Sequence, residues 1–387
     1  MWGGLTTLAL MSDTATRSPS ASLSHVRMGF IGAGMISKFS AEHVTSHPDA
    51  SLVAVYDPSV ERREKLKENH AITRTHDSVE AMLADDEIDS IYVAVPNKFH
   101  AELALRVLES GRHCLLEKPF ALNFDEARRV ADVAAKSGKT FCIGMNQRFP
   151  AGRQRLRHLI SEGRLGEIYH AKGYWLRRAG IPRMQTWFGH DALSGGGCLL
   201  DIGVHMLDLV LYLTDNFEPV SVTGQTYSKI GPTGRGEGGW GMSDRDPSLT
   251  FDVDDLATAF IRFRNEMTVS LDVSWAVHLG EEGRDGADIF GTDAGGGAAP
   301  SRFFRPQAEG DEYDVFDLDE PTGEFADVPV MYEHCERFHN FINAVLGREE
   351  LCCKVEQSLV VQQVLDAIYE SAKTGRQVEI DPVPVPA

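Results

Sequence analysis

The stretch VRMGFIGAGMIS at residues 26–37 constrains this chain more than any other, because a strand-like apolar run passes directly into spaced glycines and then a helical pattern. Gly32 permits the tight turn and Gly34 lets backbone approach a diphosphate, while a helix opening at Met35 and Ile36 offers unpaired amides and a positive dipole end. Ser37 takes the place of the usual third glycine, where a small residue suffices for helix-to-sheet packing. The next apolar run, SLVAVY, ends at Asp57, about twenty residues on, where a carboxylate can accept hydrogen bonds from the ribose hydroxyls of a dinucleotide. A carboxylate there repels the extra phosphate of NADP, so NAD is favoured; Arg62 or Arg63 could pair with that phosphate and keeps NADP possible.

From Val26 to residue 147 short apolar runs alternate with helical stretches, the signature of βαβ units and a doubly wound, Rossmann-type parallel sheet. Helices are predicted over 35–47, 58–69, 78–84, 100–110 and 123–137. After Arg148 the rhythm changes. A helix over 153–162 precedes longer runs at 168–178, 221–230, 256–263 and 267–278, whose β-branched and aromatic residues suggest a large, mostly antiparallel sheet in an α+β region. The Gly-rich stretches 231–241 and 291–297 read as loops, and helices are predicted over 332–346 and 356–374. The expected organisation is a disordered leader (1–25), a nucleotide-binding α/β domain (26–147), a substrate-binding and oligomerisation domain (148–380) and a tail (381–387).

A formal charge of −19, from 57 acidic and 38 basic residues, disfavours nucleic acid and anionic membrane surfaces as partners. No uninterrupted apolar run is long enough to span a bilayer, and the N-terminus lacks the pattern of a signal peptide. The six cysteines show no CxxC spacing, which suggests reduced thiols, a cytoplasmic setting and no bound metal.

Three segments carry candidate chemistry. VPNKFH places Pro96, Asn97 and His100 at the carboxyl end of a predicted strand, beside the crevice where open α/β sheets bind ligands. LLEKPF brings Glu117 and Lys118 to a neighbouring strand end, so that an ionisable lysine faces the expected cofactor. GGGCLLDIGVHMLD sets Asp201 and His205 four positions apart, on one face of a predicted buried helix, where the carboxylate could orient the imidazole. Asp208, three residues further on, could cap or pair instead. Hydride transfer from an alcohol leaves a proton to be removed, a task that suits His205, with Lys118 acting on the same oxygen. A metal hydrolase built on Asp201 and His205 lacks further ligands at sensible spacing.

Together GFIGAGMIS, VPNKFH, EKP and GGGCLLDIGVHMLD, in this order and separation, resemble the Gfo/Idh/MocA oxidoreductases, a family named for glucose-fructose oxidoreductase and inositol dehydrogenase. The resemblance spans Val26 to about Ile380. It implies Lys118, Asp201 and His205 as the catalytic residues, a sugar, cyclitol or related polyol as substrate, and an open C-terminal sheet forming homodimers or homotetramers. It also implies Asn146, Arg148 and Trp187 as residues lining the substrate cleft. The leader and the glycine-rich insertion from Gly231 to Asp246 depart from the pattern. The resemblance leaves open two other activities, an NAD-dependent glycosidase working by transient oxidation and elimination, and a non-catalytic NAD-sensing regulator.

Overall fold

The computed structural model describes residues 23–241, 243–309, 311–332 and 336–383. Most of the expected leader and the last residues of the expected tail lie outside them. Strands β1 (Val26–Ile31), β2 (Ala50–Tyr56), β3 (Arg74–His76), β4 (Ser90–Val93), β5 (His113–Leu116) and β6 (Phe141–Ile143) form one parallel sheet in the order β3-β2-β1-β4-β5-β6. Helices α1 (Met35–Thr45), α2 (Val60–His70), α3 (Val79–Leu83), α4 (His100–Glu109) and α5 (Phe124–Ser137) make the connections. The order in which strands are laid down reverses between β1 and β4, and ligand crevices of such sheets open at that switch point. β4 and β5 read as unbroken apolar runs because helices cover both faces of a parallel sheet. β3 has three half-buried residues and no apolar run, so nothing in its sequence distinguishes it from a loop.

The second sheet has nine strands, in the order β14-β13-β12-β11-β7-β10-β9-β8-β15. Its members are β7 (Ile168–Arg177), β8 (Pro219–Tyr227), β9 (Leu256–Phe263), β10 (Thr268–Ser274), β11 (Gly283–Gly291), β12 (Gly295–Ala298), β13 (Arg302–Pro306), β14 (Tyr313–Asp317) and β15 (Val378–Glu379). All neighbours run antiparallel except β7 and β10. The stretch 291–297, expected to be a loop, instead carries the end of β11 and most of β12. Its glycines suit a strand pressed against a helix: a Cβ on Gly296 would stand 2.6 Å from the Leu156 side chain of α6 (Ala151–Ser161).

The short α7 (Asp191–Ser194) meets the turn at 97–99 of the first half, and α6 and α8 (Val204–Thr214) pack on one face of the second sheet. The helical stretch 191–214 is long and apolar enough to cross a membrane, yet its most apolar part is buried throughout in the protein, which marks a core helix. Each fully buried Leu or Val there contributes about 1.5–3 kcal/mol. Within this core Arg148 and Asp208 form a fully buried bidentate pair, with Nε and Nη2 at 2.9 and 2.5 Å from the carboxylate oxygens. Arg148 also donates to the carbonyl of Cys352 and to Gln357. It is 0% exposed and four of its five N–H donors are spent on the protein interior, so the expectation that Arg148 lines the substrate cleft is corrected: a fully buried guanidinium cannot reach a ligand.

Helix α9 (Arg337–Val345) starts later than predicted and packs on the first sheet, where Phe338 meets Phe30 and Tyr92, while α10 (Val355–Thr374) returns to the second. The last part of the chain therefore joins both halves.

Candidate active site

The glycine turn takes the form its sequence requires. Gly32 has φ +104°, and a Cβ there would stand 2.1 Å from the Ala94 carbonyl oxygen. Nothing lies within 4 Å of a Cβ built on Gly34, the N-cap of α1, and no side chain caps that helix. An uncapped helix start facing open space presents the orphan amides that a diphosphate would occupy, so these residues fit a dinucleotide. Met35 is half-buried and Ile36 exposed beside the same opening. Asp57 is 6% exposed; its Oδ2 accepts from the Ala33 amide and Oδ1 from the Ser59 amide, both at 2.8 Å. These bonds tie the end of β2 to the glycine turn and leave carboxylate lone pairs for ribose hydroxyls. Neither arginine expected to favour NADP is free: Arg62 pairs with Asp244 at 2.6 Å and Arg63 with Asp77.

Of the other residues expected to hold the cofactor, Pro96 is half-buried at the crevice, but three are claimed by the protein. Asn97 is buried and donates to the Ser194 carbonyl at 2.8 Å, joining the two halves. His100 is 1% exposed with both ring nitrogens on backbone carbonyls, those of Pro119 at 2.7 Å and Val95 at 3.0 Å. Glu117, also buried, pairs with Arg337 of α9 at 2.7 Å, accepts from the Tyr92 hydroxyl and from the Lys118 amide. Its cation and hydroxyl partners hold its carboxyl below the usual range against the opposing effect of burial. His100 and Glu117 are thus corrected from cofactor ligands to supports that fix the segments carrying Asn97 and Lys118.

The structure brings together the three residues proposed for catalysis. Lys118 Nζ donates to Asp201 Oδ1 at 2.8 Å and to the Asp201 carbonyl at 3.0 Å. That carbonyl lies in a π-helical turn, Leu199–Gly203, just before α8. Asp201 Oδ2 accepts from Trp275 Nε1 at 2.8 Å. Asp201 therefore holds the lysine, and no hydrogen bond joins it to His205, which corrects the expected role of orienting the imidazole. His205 is 8% exposed, and its Nδ1 is sealed from solvent without a hydrogen-bond partner among the described residues. Burial pushes His205 well below its ordinary pKa, and the charges of Lys118, Arg337, Arg177 and Arg153 push the same way. The imidazole is neutral across the physiological range.

The glycine run before Asp201 is held by Asp254, whose carboxylate accepts the amides of Gly197 and Leu199 at 2.8 and 2.9 Å. The wall beside His205 comes from β7. Gly173 backs onto α8 near Val210, and two positions on, the Trp175 ring centroid stands 6.0 Å from that of His205. Trp187 stacks on Phe188, and its Nε1 donates to Ser243 at 3.2 Å, so the glycine-rich insertion runs along this cleft. Asn146 is exposed on a short 3-10 turn. Trp275, Arg337 and Trp175 were not singled out by sequence; the two indoles were visible only as aromatic residues within the 267–278 and 168–178 runs.

Residues 26–145 match the family described as oxidoreductases with an NAD-binding Rossmann fold, and residues 153–295 match the GFO/IDH/MocA C-terminal domain. The chain is 33% identical to D-glucoside 3-dehydrogenase of Escherichia coli (strain K12) over 96% of this chain and 100% of that one. It is 28% identical to glucose-6-phosphate 3-dehydrogenase of Bacillus subtilis (strain 168) over 63% of this chain and 66% of that one. Its fold is that of levoglucosan dehydrogenase solved with NADH and L-sorbose, with a TM-score of 0.80, 20% identity, and coverage of 93% of this chain and 100% of that one.

The two turn glycines have separable roles. Gly32→Ala should lower stability by about 3 kcal/mol, since strain and overlap act together. Gly34→Ala should leave the melting temperature nearly unchanged while weakening NADH binding at least about tenfold, as read by fluorescence titration. Equal NADH affinity in Gly34→Ala and the parent would remove this turn from the diphosphate site.

Proposed function

As this chain is a member of the Gfo/Idh/MocA oxidoreductases, built on an NAD-binding Rossmann fold, we propose that it oxidises a ring hydroxyl of a sugar or related polyol to a ketone. The observation that carries this reading is the Lys118–Asp201 pair beside a neutral His205 at the mouth of the nucleotide crevice. Two relatives named for dehydrogenation at position 3 of a glucose unit support that position as the one oxidised. NAD is the favoured cofactor, consistent with Asp57 at the end of β2 and with Arg62 and Arg63 engaged elsewhere.

When bound, the nicotinamide ring supplies a hydride acceptor. Lys118 has three N–H donors, two of which Asp201 takes, so the third can reach the substrate oxygen and stabilise its developing negative charge. His205, neutral and beside this oxygen, accepts the hydroxyl proton as the C–H bond gives up its hydride pair. The alcohol thus loses one hydride and one proton. In the opposite direction protonated His205 returns the proton and Lys118 polarises the carbonyl.

We further propose a homo-oligomer formed through the uncovered face of the second sheet, where Phe260, Tyr313 and Val315 are exposed. A cytoplasmic setting is supported by five described cysteines that are free and buried. Light scattering should show a dimer or tetramer that Phe260→Glu weakens; a monomeric parent protein at micromolar concentration would refute the interface.

Lys118→Met should reduce turnover of a competent sugar by about 10³-fold while NADH binding persists, because the lysine acts on the reacting oxygen. Turnover within tenfold of the parent would remove Lys118 from the mechanism. Because the proton acceptor must be neutral and burial holds His205 below its ordinary value of 6.5, the acid limb of the kcat/KM profile for oxidation should fall below pH 6.5. A limb at or above pH 7 that vanishes in His205→Asn would contradict the environment described for this histidine.

A further inference from the structure

The cleft wall beyond His205 contains two largely buried guanidiniums without a carboxylate partner. Side chains alternate along β7, so Gly173, Trp175 and Arg177 share the face that meets α8. Arg177 lies over the Trp175 ring, 4.5 Å from its centroid, and 5.9 Å from that of Trp240 in the glycine-rich insertion. Its Nη1 is sealed from solvent and has no hydrogen-bond partner among the described residues. Among the described residues Arg153, 8% exposed, donates to the carbonyl and side-chain oxygen of Gln147 and to no carboxylate. Both cations act electrostatically on His205 and both feel Asp285, which sits opposite Trp175 on β11, yet neither forms an ion pair with it.

Lys118, Arg153 and Arg177 stand among the carboxylates Asp201, Asp285 and, beside Arg153, Asp319, yet of the three cations only Lys118 forms an ion pair among the described residues. Two guanidiniums without an ion pair stand out in a chain of net charge −19, where carboxylates are in excess. Leaving a sealed guanidinium N–H unpaired is costly, whereas a planar fork held over one indole and near a second is pre-organised to take an oxyanion through parallel N–H donors.

We propose that Arg177, held over Trp175, near Trp240 and supported by Arg153, is an oxyanion subsite of the substrate cleft, so that the sugar oxidised here carries a carboxylate or a phosphate. This rests on the sugar-oxidising reading above and adds the charge of the substrate to it. The reacting hydroxyl sits at Lys118 and His205, and the anionic group lies further along β7.

The test uses the full chain with saturating NAD and compares methyl β-D-glucoside, methyl β-D-glucuronide and glucose 6-phosphate by NADH formation. One anionic sugar should exceed the neutral one at least about 30-fold in kcat/KM, and which one does so distinguishes carboxylate from phosphate. Arg177→Met should collapse that ratio to within about threefold, Arg177→Lys should recover part of it, and Arg153→Met should lower it independently. A neutral sugar used as well as both anions, or a ratio unchanged in Arg177→Met, overturns the proposal. If no sugar yields NADH, the sugar-oxidising reading fails, and the subsite is judged by indole fluorescence alone. Four of the five tryptophans, Trp175, Trp187, Trp240 and Trp275, line this region. Saturable quenching by glucuronate or inorganic phosphate that Arg177→Met abolishes upholds the subsite; no saturable change in the parent protein overturns it. Melting curves and NADH titration of each variant separate lost recognition from lost folding.

Discussion

The contact between Lys118 and Asp201 is the constraint around which the rest is arranged. It joins the end of a parallel strand in one half to the start of a buried helix in the other, at 2.8 Å and with little solvent access on either side chain. Ion pairs of this kind contribute little net stability, because removing two charges from water offsets much of their attraction. Their value lies in position. Arg337 and Tyr92 fix Glu117, Glu117 holds the Lys118 amide, and Trp275 holds the far oxygen of Asp201. Each support comes from a different element, so the ammonium is held in one place before any substrate arrives.

The nucleotide end shows the same cooperation. Asp57 braces the glycine turn through the Ala33 amide, and Arg62 is drawn to Asp244 of the insertion carried by the second half. That pair is exposed and contributes little energy, but it directs one nearby cation away from the place where a 2′-phosphate would need it. Cofactor preference is thus set partly by residues far from the glycine fingerprint.

Much of this was legible in the sequence, for identifiable reasons. The parallel sheet announced itself because β1, β4 and β5 are apolar runs that alternate with helices, and Lys118, Asp201 and His205 lie in segments whose neighbours share their task. β3 was hidden by its lack of apolar residues, and β11 to β14 by glycines and charges that do not alternate cleanly. Arg148 looked like a cleft residue from its position, whereas Asp208, sixty positions on, claims it. Trp275, Arg337 and Arg177 belong to no motif; their meaning appears only when distant strands and helices meet. The partner of Asp201 was misjudged because spacing on a helix shows who is adjacent, not who has the stronger claim on a carboxylate.

The return of α9 to the first sheet has an evolutionary consequence. A chain that borrowed a new substrate-recognising half by recombination near residue 150 would lose Arg337 along with the old one, and Glu117 would be left facing its lysine without a counterweight. Diversification in such an architecture should therefore proceed by altering loops and single wall residues in place, since exchange of whole halves breaks a joint that neither half carries alone.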